Sequence, residues 1–274
     1  VEKKCDMEQS AAKSYAYLLG VFLGDGCVSD QNTYVQSTID KDFADAVAKA
    51  FAYVTTRPVR IAYKEKPKKN SNCSPAWTIT ITDHELSRRF VADTSGKRVI
   101  PDYVFGWDIE LRKQFIIGLM DSEGYVATNA DKGWSRTNRS FHMGYKSCDL
   151  WVPELVLLMR SVGLRLNKVA QCPPRKPGYK TPTRFTIKMQ SWIDAGMRFN
   201  IARKQSRVDE WGSIGPYERR SLYPRGGPKR LCTVEGCDEP HFCKGLCTRH
   251  YWPWKRRRLS SETNTPAAPG IAAV

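Results

Sequence analysis

Leu19-Gly20-Val21-Phe22-Leu23-Gly24-Asp25-Gly26 recurs without a gap as Ile117-Gly118-Leu119-Met120-Asp121-Ser122-Glu123-Gly124, 98 residues later. Each copy is an apolar segment with an inner Gly, then a small residue, a carboxylate and a closing Gly. A carboxylate-Gly pair after an apolar run is a frequent helix stop, so one copy alone would say little. Two aligned copies indicate a duplication if the sequence downstream of each also matches.

It does match. After Gly26 the sequence predicts a strand over Tyr34 to Ile39. An amphipathic helix follows over Lys41 to Val54, with Phe43, Val47, Ala50 and Phe51 on one face. Strands are predicted at Val59 to Tyr63 and Trp77 to Thr82, where Thr78 to Thr82 alternates strictly. Asp83 is placed to cap a last helix running to about Ala92. After Gly124 the order repeats. A strand surrounds Ser140 to Tyr145, and a helix runs from Leu150 to Val162 and stops at Gly163. Strands at Leu164 to Ala170 and Arg184 to Met189 precede a helix over Ser191 to Phe199. The loops Lys64 to Ser74 and Pro173 to Thr183 are basic and polar.

The chain has 274 residues and a net charge of +16, with 41% apolar and 26% charged residues. That is a globular composition with room for one large or two modest domains. The longest apolar stretch, Tyr15 to Gly24, is interrupted by Gly20 and is far short of the roughly 20 residues that a membrane span needs. The start, VEKKCDMEQS, lacks the apolar core of a secretory signal. A pI of 9.5 favours a polyanionic partner. Residues 201–258 hold 14 Lys+Arg against 6 Asp+Glu, half of the excess charge. They show no basic amphipathic helix suited to a membrane surface, so nucleic acid is the expected partner.

Of 9 cysteines, Cys5, Cys27, Cys73, Cys148 and Cys172 are scattered, and Cys232, Cys237, Cys243 and Cys247 cluster. Without a signal segment, a metal site explains the cluster better than disulfides. Cys232-x4-Cys237-x9-Cys247-x2-His250 offers a tetrahedral set for one structural Zn²⁺. Replacing His250 by Cys243 gives an alternative set. So short a segment cannot bury enough surface to fold alone, which is the usual reason for a structural metal. Pro240, Gly245 and the His250-Tyr251 pair resemble small zinc modules at the ends of phage nucleases. Trp252, Trp254 and the run Lys255 to Arg258, including Arg256 and Arg257, follow directly and suit contact with a DNA backbone.

The paired motifs resemble the LAGLIDADG motif of homing endonucleases, in its single-chain, two-motif form. Gly20, Asp25 and Gly26 fit the first copy, and Gly118, Asp121, Glu123 and Gly124 fit the second. The resemblance covers residues 11–200. It departs from the pattern at Leu23, which stands where the second copy has Asp121. It implies an α+β fold, a pseudo-symmetric pair of αββαββα halves forming a DNA-binding saddle. Small residues at Gly20 and Gly118 would let two helices cross closely and deliver both carboxylates to one spot. Like charges held together call for a cation between them. Hard oxygen ligands suit Mg²⁺, two ions or more. The implied metal positions are Asp25 and Glu123, with Gly24 and Ser122 beside them. Gln36, Lys146 and Lys188 are the candidate catalytic helpers. On the free sheet faces, Gln36, Thr38, Arg60, Lys64, Thr78, Thr80, Arg139, His142, Lys146, Arg165, Lys168, Arg184 and Lys188 form a polar, basic set suited to the major groove.

The expected organisation is a first half over 1–108, a second over 109–204, a Gly/Pro-rich basic linker over 205–230, a zinc module over 231–258 and a disordered tail over 259–274. The expected function is cleavage of both strands of a long double-stranded DNA site by a monomer without an obligate protein partner. It would act in the cytoplasm of a bacterial or phage-infected cell, associated with the nucleoid. A non-catalytic DNA-binding regulator or an RNA-binding intron maturase on the same fold is the alternative.

Overall fold

The first motif copy closes a helix longer than its apolar part, α1 (Glu2–Gly24). The second closes α5 (Ile109–Ser122), capped at its start by Asp108, whose side chain accepts from the Leu111 amide. The computed structural model describes residues 2–65, 74–128, 141–147, 150–167, 169–172, 181–214, 232–237, 239 and 246–254, with backbone alone at 2–6, 128 and 141–142. They fall in two units, Val1–Gly215 and Pro216–Val274.

In the first half α1 is followed by β1 (Cys27–Val28), β2 (Tyr34–Thr38), α2 (Lys41–Val54), β3 (Arg60–Lys64), β4 (Ala76–Ile81) and α3 (His84–Asp93). A short helix, α4 (Tyr103–Gly106), leads into α5. The second half then runs β5 (Tyr125–Thr128), β6 (Phe141–Ser147), α6 (Val152–Ser161), β7 (Ala170–Gln171), β8 (Thr183–Ile187) and α7 (Met189–Asp194). Each half is αββαββα. The sheets are ordered β1-β2-β4-β3 and β5-β6-β8-β7, the same order in both halves. Every named pairing is antiparallel. One apolar core runs through both halves and includes Leu19, Phe22, Phe115 and Leu119 from the motif helices. Among the described residues no helix is long and apolar enough to cross a membrane.

Cross-strand register decides which side chains face the helices. In the first sheet Tyr34 pairs with Ile81 and Gln36 with Ile79, so Gln36 belongs to the core face and is 1% exposed. It stays there because the Tyr34 hydroxyl donates to its Oε1 at 3.3 Å. Thr38 shares that parity, paired with Trp77. Both were expected on the free face, and both lie on the other.

The expected linker also begins too early. Residues 205–213 belong to α8 (Ala202–Ser213), which buries Lys204, Gln205 and Val208. The first half grips the start of this helix. Asp40 stands at the N-cap of α2 but makes no side-chain cap there. Its carboxylate instead takes both arms of Arg203, at 2.7 and 2.8 Å. Asp42 accepts from the Ala202 amide, putting a negative charge at the positive end of α8. Arg203→Leu is expected to lower stability by about 1 kcal/mol, the scale of a well-formed but half-exposed ion pair. Urea unfolding of the two forms measures it.

Candidate active site and zinc site

Close helix crossing needs residues without side chains at the contact. A Cβ on Gly20 would sit 2.0 Å from the Phe115 carbonyl oxygen and 2.9 Å from the Leu119 amide. One on Gly118 would sit 2.1 Å from the Tyr17 oxygen and 3.1 Å from the Val21 amide. Phe115 and Leu119 are the 98-residue counterparts of Tyr17 and Val21, so the crossing obeys a pseudo-twofold axis. Gly24 and Ser122 are counterparts too, and they meet each other: a Cβ on Gly24 would fall 1.9 Å from Ser122 Oγ and 3.3 Å from Glu123 Cγ. The next residues, Asp25 and Glu123, are exposed and adjoin this meeting point. Two helix C-termini, each the negative end of a helix dipole, thus deliver two carboxylates to one region.

Two lysines brace these helix ends. Lys97 Nζ donates to the carbonyls of Gly24 and Gly26, on either side of Asp25. Lys204, 3% exposed, donates to the carbonyls of Met120 and Asp121 at 2.9 and 2.6 Å. Asp121 itself is buried, held by Tyr17 Oη at 3.1 Å and by the Asn200 amide and side chain at 3.0 to 3.3 Å. Burial pushes its carboxyl up to about 6 against those bonds and the Lys204 charge. Burial pushes Lys204 down to about 8. Tyr34 rises well above the usual phenol value through burial and then the nearby Asp25 charge. In the first half Leu23, 2% exposed, replaces Asp121, so that half has no buried carboxylate at this position.

The Gly24 carbonyl accepts from Lys97, and the Ser122 hydroxyl donates to the Leu119 carbonyl at 3.0 Å. Gly24 and Ser122 thus sit at the same meeting point as Asp25 and Glu123, whose carboxylates are hard oxygen donors of the kind that suits a cation such as Mg²⁺. Gln36 is 1% exposed and its Oε1 accepts from the Tyr34 hydroxyl, so it lies on the core side of its sheet. Lys146 and Lys188 are exposed, Lys188 at the start of α7 rather than in β8.

On the free faces the strand register groups Arg60 with Thr80 and Lys146 with Arg184. Arg60, Lys64, Lys146 and Arg184 are exposed, Thr80 is half-buried, and Thr78 is buried against Ser37. Arg165 is exposed and pairs with Asp194 at 3.6 Å. His142 has its backbone in β6, paired with Ala127. Arg139, Lys168, Cys243, Arg256, Arg257 and the tail lie outside the described residues. Lys97 and Lys204 escaped sequence reading. The first sits in a polar T-S-G-K-R run where only Gly96 signals a turn, and the second is the last residue of the expected second half, at the edge of the expected linker.

In the C-terminal unit Cys232, Cys237, Cys247 and His250 bring their ligand atoms within 4.8 Å of one another. Cys237 Sγ lies 3.8 Å from Cys247 Sγ. His250 Nδ1 lies 3.3 Å from Cys232 Sγ and 3.4 Å from Cys247 Sγ. Zinc bonds of about 2.3 Å to sulfur and about 2.0 Å to nitrogen give tetrahedral edges of about 3.8 and about 3.5 Å. The set is compatible with a zinc ion, and Cys243, the ligand of the alternative set, lies outside the described residues.

No family model matches the chain. A curated relative is the homothallic switching endonuclease of Saccharomyces cerevisiae, 29% identical over 148 residues that cover 47% of this chain and 24% of the relative. The chain resembles the LAGLIDADG homing endonucleases. It spans about a quarter of the length of that yeast relative. Solved structures similar to it include I-WcaI bound to its DNA recognition sequence, 10% identical, covering 72% of this chain and 86% of that one at a TM-score of 0.49. Another is a mesophilic variant of the homing endonuclease I-DmoI, 14% identical, covering 68% and 94% at a TM-score of 0.45. The N-terminal LAGLIDADG domain of DUF199/WhiA is 15% identical, covering 68% and 81% at a TM-score of 0.44. The two halves share one element order, with the two motif helices crossing at their inner glycines.

Proposed function

We propose that the chain is a site-specific DNA endonuclease that cuts both strands of an asymmetric duplex as a monomer. The observation that carries this is the pseudo-twofold crossing, which sets Asp25 and Glu123 at one place in a single chain. Divalent cations held by these carboxylates would supply an activated water and stabilise the leaving oxygen of a phosphodiester. Asp25 and Glu123 are the residues that would hold these cations. Lys97 and Lys204 each hold the backbone carbonyls of one helix end. Arg60, Lys64, Lys146 and Arg184 neutralise phosphates or read bases from the free strand faces. Incubation with a randomised duplex library and Mg²⁺, followed by sequencing of cut ends, tests this. Enrichment of one long asymmetric site is expected. Tight binding without cutting would mark the chain as a regulator, and preference for structured RNA would mark it as a maturase.

The C-terminal unit extends the DNA contact and takes one Zn²⁺ on Cys232, Cys237, Cys247 and His250. Four filled positions leave no open site for a reacting water, so the ion is structural. Removing residues 216–274 should raise the dissociation constant for target DNA and flatten its salt dependence, because fewer counterions are released. Cutting at saturating enzyme should survive, since residues 1–215 carry their own core. Binding measured across a salt series checks this, and an unchanged slope would contradict DNA contact by this unit. One zinc per chain is expected in metal analysis, and Cys247→Ser should lose it.

A further inference from the structure

A cavity of about 300 Å³ opens among the helices of the first half, where α1, α2 and α5 meet. Its α2 wall is a single stripe, Ala46, Lys49, Ala50 and Tyr53, at the three- and four-residue spacing of one helix face. The two alanines leave the space open, beside the core stripe that Phe43, Val47 and Phe51 fill. Tyr17 of α1 lies deepest, 4% exposed, with its hydroxyl already committed to Asp121. Lys13, one turn earlier on α1, lines the cavity together with Lys49.

No carboxylate lines it, and among the described residues neither lysine has an ion-pair partner. Ser14, Gln114 and Asn200 complete the lining with neutral hydrogen-bonding groups. Two like charges at one concavity without a counterion set up a positive field, and its low-dielectric walls focus that field. The duplicated fold does not require this charge: 98 residues on, Leu111 stands in place of Lys13. Nor does the cavity belong to the strand faces used in the endonuclease reading. The core side of the first sheet, with Ile79 and Ile81, faces the helices, while Arg60 and Thr80 lie on its other side. A volume of about 300 Å³ is at the lower limit of small-ligand pockets, too little for a stretch of polynucleotide. Tyr53, 49% exposed, offers a ring on which a planar group can stack.

We propose that this cavity binds a small phosphate monoester with a planar body, of the nucleoside-monophosphate class. Lys13 and Lys49 take the phosphate, and Tyr53 takes the ring. The site is separate from Asp25 and Glu123, and binding there does not depend on whether the chain cuts DNA. Tyr17 and Asn200, which both hold Asp121, tie the lining to the end of the second motif helix. Occupancy therefore stabilises the helix crossing as well as the cavity.

Calorimetric titration of the full chain with AMP, inorganic phosphate and adenosine tests this. AMP should bind, phosphate should bind about tenfold more weakly, and adenosine should give no binding heat. Lys13→Met and Lys49→Met should each weaken AMP about tenfold, the scale of one charge-assisted hydrogen bond. Tyr53→Ala should weaken AMP and leave phosphate unchanged. Ala46→Leu keeps every charge and fills the cavity, so it should block both ligands. At a hundredfold excess over its dissociation constant, AMP should raise the melting temperature of the wild-type chain by about 5 °C and leave that of Ala46→Leu unmoved. Arg60→Ser combined with Lys64→Ser, on the strand face, should leave AMP affinity within about twofold. No AMP binding at about 10 mM would overturn the proposal. So would wild-type affinity in Lys13→Met or Ala46→Leu, adenosine or phosphate binding as tightly as AMP, or loss of AMP binding in the strand-face variant. If Ala46→Leu does not fold, the two lysine variants and Tyr53→Ala decide it on the same criteria.

Discussion

Asp25→Asn and Glu123→Gln should each abolish cutting of both strands while leaving DNA affinity within a few-fold of wild type. Each substitution keeps the shape of the side chain and removes the charge proposed to hold a cation. Both residues are exposed at the helix ends, so neither change disturbs the core. In the proposed reading, affinity comes mainly from Lys and Arg on the strand faces and in the C-terminal unit, through phosphate neutralisation. Loss of metal-assisted water activation and leaving-group stabilisation removes several kcal/mol of transition-state stabilisation, about a thousandfold or more in rate. The measurement is a cleavage time course beside a binding titration in Ca²⁺. Wild-type rates in either variant would remove these carboxylates from the site.

Gly118→Val should be among the most damaging single substitutions in the chain. Its Cβ alone would lie 2.1 Å from the Tyr17 carbonyl oxygen, a backbone atom that cannot rotate away. The helices must separate, opening the core around Phe115 and Leu119 and pulling Asp25 from Glu123. A loss of more than about 3 kcal/mol is expected, at the upper end of overpacking effects. Gly20→Val meets the same wall at the Phe115 oxygen, 2.0 Å away. Gly106→Ala is the control: nothing lies within 4 Å of its added carbon, and a change under about 0.5 kcal/mol is expected. Denaturant midpoints for the three variants test this. A near-neutral Gly118→Val would mean that the two motif helices do not cross as described.

The duplication made the halves readable, because a fixed offset carried the whole element order with it. Apolar periodicity placed α2 within its observed bounds, and Asp83 caps α3, accepting from the Leu86 amide. What stayed hidden depends on contacts distant in sequence. Gln36 reads as a free-face residue by polarity, yet the Tyr34 hydroxyl supplies the partner that lets it be buried. The density of Gly and Pro near Gly212 and Pro216 reads as linker, yet Asp42 and the buried Val208 hold α8 to the first unit. The convergence of Cys232, Cys237, Cys247 and His250 was legible because their short spacing is itself the signal. Lys97 was not, since neither its left-handed backbone nor its Trp151 partner leaves a mark in the local sequence.

The account rests on the two motif carboxylates sharing one cation-dependent centre that cuts DNA at a specific site. Its most direct test is cleavage of a selected duplex by the purified full chain, with Mg²⁺ and with chelator, resolved by strand. The account predicts a break in both strands at a single position of an asymmetric site, with no cutting in chelator. Specific binding with no cut in either strand, or cutting that persists in chelator, would contradict it.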